Sequence, residues 1–148
     1  MKTIEAVKAY RILKSAKLTK MDDADKLKTI KAMRILRPVS EEYDKDVEEG
    51  RKALQDDKFE EMQQKAQKHN EAVQEKKQEG LLGYSELKEL NEYFTSYEKS
   101  ARELVKELDE KEITVTIGRL NEAAFGKLVA SNDMTGEDLM ALSDVILE

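Results

Sequence analysis

The segment Lys8-Ala9-Tyr10-Arg11-Ile12-Leu13-Lys14 returns 23 positions later as Lys31-Ala32-Met33-Arg34-Ile35-Leu36-Arg37, with five of the seven residues identical. An internal repeat this short specifies one supersecondary unit used twice, and here the unit is a helix. Ile4 aligns with Leu27 and Val7 with Ile30, so apolar residues fall at every third position: Ile4, Val7, Tyr10 and Leu13, then Leu27, Ile30, Met33 and Leu36. The chain therefore opens with two related basic amphipathic helices. The first is expected from about Thr3 to Ala16. The second is capped by Asp22 or Asp23 and ends at Arg37, where Pro38 forces a stop or a kink.

Few residues elsewhere interrupt a helix. Six Gly and one Pro occur in 148 positions, charged and hydrophobic residues each make up 39%, and Trp is absent, a balance that favours long helices with narrow apolar stripes over a thick core. Ser40 is the expected cap of a third helix that meets no strong breaker before Gly80, giving a length of about 60 Å at about 1.5 Å per residue. After the Gly80-Leu81-Leu82-Gly83 turn, a helix capped by Ser85 carries Leu87, Leu90, Phe94, Tyr97, Ala101, Leu104 and Leu108 at alternating spacings of 3 and 4. That is a heptad seam, and Met62, Ala66, His69 and Val73 supply the antiparallel partner.

Beyond Leu108 the period changes. Glu112-Ile113-Thr114-Val115-Thr116-Ile117 alternates and is β-branched, the signature of one short β-strand. A lone strand either pairs with its equivalent in a second subunit through Ile113, Val115 and Ile117 or serves as an extended connector. Two short helices close the chain, one capped by Asn121 and running to Ala130, the other starting at Thr135-Gly136 and running to Leu147. Val129, Met134, Leu139, Leu142, Val145 and Ile146 give this end an apolar cluster of its own. The expected fold is thus all-α with one short strand: a basic helical hairpin over residues 1–38, a long antiparallel coiled-coil-like hairpin over 39–110, and a strand plus two helices over 111–148, together one structural unit.

The chemistry of sites is thin. Cysteine is absent and His69 is the sole histidine, which excludes thiolate ligands and His–His metal pairs; Ala66, not Glu, precedes His69 by three, so a di-iron bundle motif fails as well. The turn from Ser131 to Gly136 lacks a calcium-loop glutamate, since Leu142 stands at the twelfth position. The Gly80 to Gly83 pair has no three-stranded context for clamping nucleic acid, and neither a phosphate-binding Gly-rich loop nor a nucleophile elbow occurs. An enzyme is not expected, and neither a cofactor nor a metal.

Charge is more informative. Residues 1–37 carry eleven Lys and Arg against four Asp and Glu, a balance of +7, which leaves −13 for the rest of a chain of net charge −6. Arg11 and Lys14 on the first repeat, and Lys31, Arg34 and Arg37 on the second, form the candidate ligand or partner site. On a helical wheel Arg34 and Arg37 share the arc of Leu27, Ile30 and Met33. Such cations either pair with neighbouring carboxylates such as Glu41, Glu42 or Asp46, or hold a phosphate-bearing ligand, nucleic acid or an acidic protein surface.

The Lys-rich first helix, the Arg34-to-Pro38 segment, the charged hairpin, and the strand followed by Asn132-Asp133-Met134-Thr135-Gly136-Glu137-Asp138-Leu139 together resemble the short helical proteins of unknown function encoded by tailed phages and prophages of gut Bacteroidetes. The resemblance implies a small accessory or assembly protein without enzymatic activity, and brings no functional residues with it. The expectation is a non-catalytic helical interaction or assembly protein, a homo-oligomer or the binder of a protein partner. The alternative is a nucleotide- or nucleic-acid-binding protein, of anti-defence type, using the basic helix pair. With no apolar stretch of about 18 residues and no leader pattern, no membrane association is expected. The expected location is the cytoplasm of the bacterial host, or the virion.

Overall fold

A computed structural model describes all residues from Met1 to Glu148. The fold is all-α. Six helices follow in order: α1 Thr3–Ser15, α2 Asp23–Ala53, α3 Phe59–Glu75, α4 Tyr84–Glu110, α5 Glu122–Ala130 and α6 Gly136–Ile146. They form two compact units, one made of Met1–Asp46 with Glu107–Glu148, the other of Val47–Lys106.

Helix α1 begins as the sequence predicts, with the Glu5 carboxylate reaching back to accept from the Lys2 backbone N–H at 2.7 Å. Helix α2 departs from expectation: it runs unbroken through Pro38, and Ser40 is buried in its interior rather than capping a new helix. Pro38 lies on the exposed side of α2, so the carbonyl of Arg34 that loses its N–H partner can turn to water. The expected long third helix is instead interrupted between Ala53 and Phe59, where the sequence offers neither Gly nor Pro. Aspartate chemistry makes the break. Asp56 Oδ1 accepts from the Lys58 N–H at 3.0 Å, and Phe59 N bonds to Asp56 O at 3.1 Å, local bonds that compete with helix propagation.

In the unit of Val47–Lys106, α4 is flanked by two antiparallel segments rather than one. Phe59 of α3 stacks against Phe94 and Tyr97 with ring centroids 6.0 and 5.0 Å away, while Arg51 at the end of α2 approaches Glu98 at 3.8 Å and accepts through its carbonyl from the Tyr97 hydroxyl at 3.3 Å. The heptad residues of α4 are all buried or half-buried, as the 3,4 spacing predicts. The partner seam slips at its end: Val73 is 56% exposed and Ala72 is buried in its place. There α3 closes with Lys76 in the left-handed region, φ 55°, and Lys77 N bonding to Ala72 O at 2.9 Å.

The other unit buries Ala6, Ala9 and Leu13 of α1 with Leu36 of α2, Leu120, Ala124 and Leu128 around α5, and Leu142, Val145 and Ile146 of α6 in one cluster. The C-terminal apolar residues therefore belong to a shared core, not to a separate one. Asn121 caps α5 by accepting from Ala124 N at 2.8 Å, and Thr135 caps α6 by accepting from Asp138 N at 3.1 Å, both as the sequence predicts.

The repeat has a structural meaning. Ala6 and Thr29, Ala9 and Ala32, and Leu13 and Leu36 are equivalent pairs, and all six are buried. The apolar stripe read from the sequence is correct only for the first copy. Val7 is fully buried, whereas its counterpart Ile30 is 42% exposed, and Leu27 is 53% exposed.

The strand expected over Glu112 to Ile117 does not form. The segment is irregular, with one isolated antiparallel bridge between Lys2 and Glu112; a parallel bridge between Leu120 and Leu147 follows beyond its end. Its side chains nevertheless alternate as a strand's would: Ile113, Val115 and Ile117 are half-buried, Thr114 and Thr116 exposed. A single extended segment among helices has no sheet to join, so the burial pattern survives while the ladder does not.

Candidate interaction surface

The outer face of α2 carries three of the eight exposed large hydrophobic residues together with unpaired cations. Thr29, Ala32, Leu36, Ser40 and Tyr43 define its buried side, and a 100° rotation per residue places Leu27, Lys31, Arg34 and Pro38 opposite, with Ile30 and Ile35 at the margins. Leu27, Ile30 and Ile35 are all among the exposed large hydrophobic residues. Lys31 and Arg34 are exposed and form no ion pair or hydrogen bond, so two free cations stand within an apolar patch.

The five cations singled out from the sequence do not act as one group. Arg11 is spent internally: its guanidinium donates to Asp44 Oδ1 at 2.8 Å and lies over the Tyr43 ring, 5.8 Å from the centroid. Its surroundings also include Asp133 and Asp138, in an open concavity of about 420 Å³ with Asn132 and Met134, which disfavours a phosphate there. Arg37 donates through Nε to Glu41 at 2.8 Å, and that hydrogen bond, with the charge of Glu41, raises its pKa above the ordinary value. Lys14 is exposed and unpaired. Lys20 and Lys28 use their ammonium groups on backbone carbonyls, donating to Ala130 at 3.1 Å and Arg119 at 2.9 Å. Part of the basic charge of residues 1–37 is thus absorbed by intramolecular docking.

The residues named for subunit contact also lie against their own chain. Ile113 and Ile117 pack on the buried cluster of their unit, and Ile113 exchanges hydrogen bonds with the first residue, Ile113 N to Met1 O at 2.9 Å and Met1 N to Ile113 O at 3.1 Å.

Elsewhere the polar groups are structural. His69 accepts through Nδ1 from the Leu82 N–H at 3.1 Å, tying the Gly80–Gly83 turn to α3. No group of His, Cys, Asp or Glu is placed to hold a metal ion. The strongest titration shifts belong to two tyrosines. Burial, with a hydrogen bond to Asp109, pushes Tyr43 up to about 12, and burial with a hydrogen bond to Asp56 does the same to Tyr93. In return the Tyr93 bond holds the Asp56 carboxyl below its usual value. Each phenol is bonded to its carboxylate partner, and the pairs join segments far apart in sequence. Sequence reading missed both pairs because nothing local marks a Tyr and an Asp as partners 66 and 37 positions apart.

No helix is long and apolar enough to cross a membrane. What fold and surface define is an all-α protein carrying an exposed cationic and apolar helix face. Comparison with known protein families, curated proteins and solved structures returns no match.

Proposed function

We propose that this is a non-catalytic helical interaction protein that presents the outer face of α2 to an acidic, partly apolar protein surface. One observation carries the reading: Leu27 and Ile30 are 53% and 42% exposed beside Lys31 and Arg34, which have no partner in the chain. Removing exposed aliphatic area from water is favourable by about 25 cal/mol per Å², and a protein surface covers such area while a nucleic-acid backbone does not. The whole-chain likeness to short helical phage proteins supports an accessory or assembly role of the same kind.

The test is a partner identified by affinity capture from the native cell, purified, and titrated against Leu27→Asp/Ile30→Asp and Lys31→Ala/Arg34→Ala variants. The first pair is expected to abolish binding and the second to weaken it, with helicity unchanged in both because all four side chains face solvent. A nucleotide- or nucleic-acid-binding role through Lys14, Lys31 and Arg34 makes the opposite forecast. Binding to a plain oligonucleotide would then fall steeply with salt, by a log–log slope of about −0.7 to −0.9 per phosphate neutralised, and survive loss of Leu27 and Ile30.

A further inference from the structure

The middle of the segment between α4 and α5 leaves its backbone without partners in the chain. From Thr114 to Gly118 no main-chain N–H or C=O forms a hydrogen bond within the chain, and the segment contains neither turn nor bend. A run of this length in a compact unit is uncommon, since main-chain polar groups are almost always paired with protein or water.

The two edges of the segment are not equivalent. In an extended chain the N–H and C=O of residues i and i+2 point to the same side. Ile113 exchanges hydrogen bonds with Met1, the Lys111 carbonyl accepts from Thr3 N at 2.9 Å, and the Arg119 carbonyl accepts from Lys28 Nζ at 2.9 Å. All of these are odd-numbered, so that edge is occupied at both ends. The even-numbered edge is free from Glu112 to Gly118; beyond it Leu120 is taken by the C-terminal end, its N–H donating to Ile146 O at 2.6 Å and its carbonyl accepting from Glu148 N at 2.9 Å.

The sequence on this edge reads the same in both directions about Val115: Ile113-Thr114-Val115-Thr116-Ile117. We propose that this free edge pairs antiparallel with the same segment of a second copy of the chain, about a twofold axis at Val115. Thr114 then stands opposite Thr116 of the other copy in a hydrogen-bonded pair, and Val115 opposite Val115 in a non-hydrogen-bonded pair. Because the axis is perpendicular to the two-stranded ribbon, both rows of Ile and Val stay on the face that packs against each copy's own core. Both rows of Thr stay on the solvent face. The pairing is self-limiting: one step further out, Lys111 would face Arg119, and like charges opposite each other end the ladder. A β-edge filled by an identical edge is isologous, so assembly closes at a dimer.

This deepens the interaction-protein reading by naming a second copy as a partner, and it makes no use of the α2 face, so the two fail separately. The chain has no cysteine, which makes cross-linking clean. Thr114→Cys and Thr116→Cys variants are oxidised alone and as an equal mixture. Paired positions lie about 5.5 Å apart between Cα atoms, within disulfide reach, whereas identical positions sit about 8 Å apart. Disulfide-linked dimer is expected to form at least about tenfold faster in the mixture than in either variant alone. A Thr116→Pro variant, whose lost N–H has no partner within the chain, is expected to sediment as monomer and to melt at a temperature that, unlike the parent's, does not depend on protein concentration. Equal cross-linking in the single variants, no cross-linking in the mixture, or a Thr116→Pro protein that dimerises like the parent would each overturn the proposal.

Discussion

The Tyr43 hydroxyl donates to Asp109 Oδ1 at 2.5 Å across 66 positions of sequence, and this bond joins α2 to α4 inside the unit that also holds both chain ends. Tyr43 is 8% exposed, and the guanidinium of Arg11 covers its ring. Burial favours the neutral phenol, so the folded protein binds this proton more tightly than the unfolded chain does. The stabilisation is complete below pH 10, the unfolded value, and is lost as pH rises through about 12. Alkaline denaturation monitored by circular dichroism should steepen across that window, and Tyr43→Phe should flatten it while lowering stability by about 1.5–3 kcal/mol at neutral pH, since a hydrogen bond to a carboxylate is removed.

Gly50 stands against a neighbour's side chain. A Cβ built there would overlap the Leu104 Cδ2 methyl. Gly50→Ala gains helix propensity of about 1 kcal/mol, yet it should lower the melting temperature because the overpacking costs more, about 1–3 kcal/mol. Combining it with Leu104→Ala should cost less than the sum of the two single changes. A double-mutant cycle by urea denaturation reads this coupling directly, and strict additivity would show that Leu104 simply swings aside.

Pro38 sits inside a 31-residue helix on its exposed side. Pro38→Ala restores one helical hydrogen bond and should raise stability by about 1–3 kcal/mol, measured by thermal or chemical unfolding. No change would mean that the helix is bent around Pro38 in a way that core packing requires.

The repeat gives a matched comparison. Val7 is fully buried and Ile30, its equivalent, is 42% exposed. Val7→Ala should cost about 1–3 kcal/mol, whereas Ile30→Ala should stay within about 0.5 kcal/mol of the parent in the isolated chain. Leu13→Ala and Leu36→Ala, equivalent and both buried, should each cost about 2–5 kcal/mol.

What the sequence determined by itself is local. The caps at Asn121 and Thr135, the turn at Gly80–Gly83 and the 3,4 spacing of Leu87 through Leu108 are set by residues within a turn or two of each other, so propensity and periodicity suffice to place them. The tertiary structure decided everything that depends on which surface meets which. It carried α2 through Pro38, because neighbouring turns buried on the opposite side hold the helix together where one hydrogen bond is missing. At Asp56, where local bonds to Lys58 and Phe59 interrupt the helix, it added a tyrosine 37 positions away as a second partner of the carboxylate. It also chose Thr29, Ala32 and Leu36, rather than Leu27 and Ile30, as the inner face of the second repeat. Periodicity states that a helix has an apolar side. With Ala, Thr, Leu and Ile spread around most of the circumference of α2, only the shape of the partners settles which side is covered, because small residues admit the closest approach of a neighbouring helix.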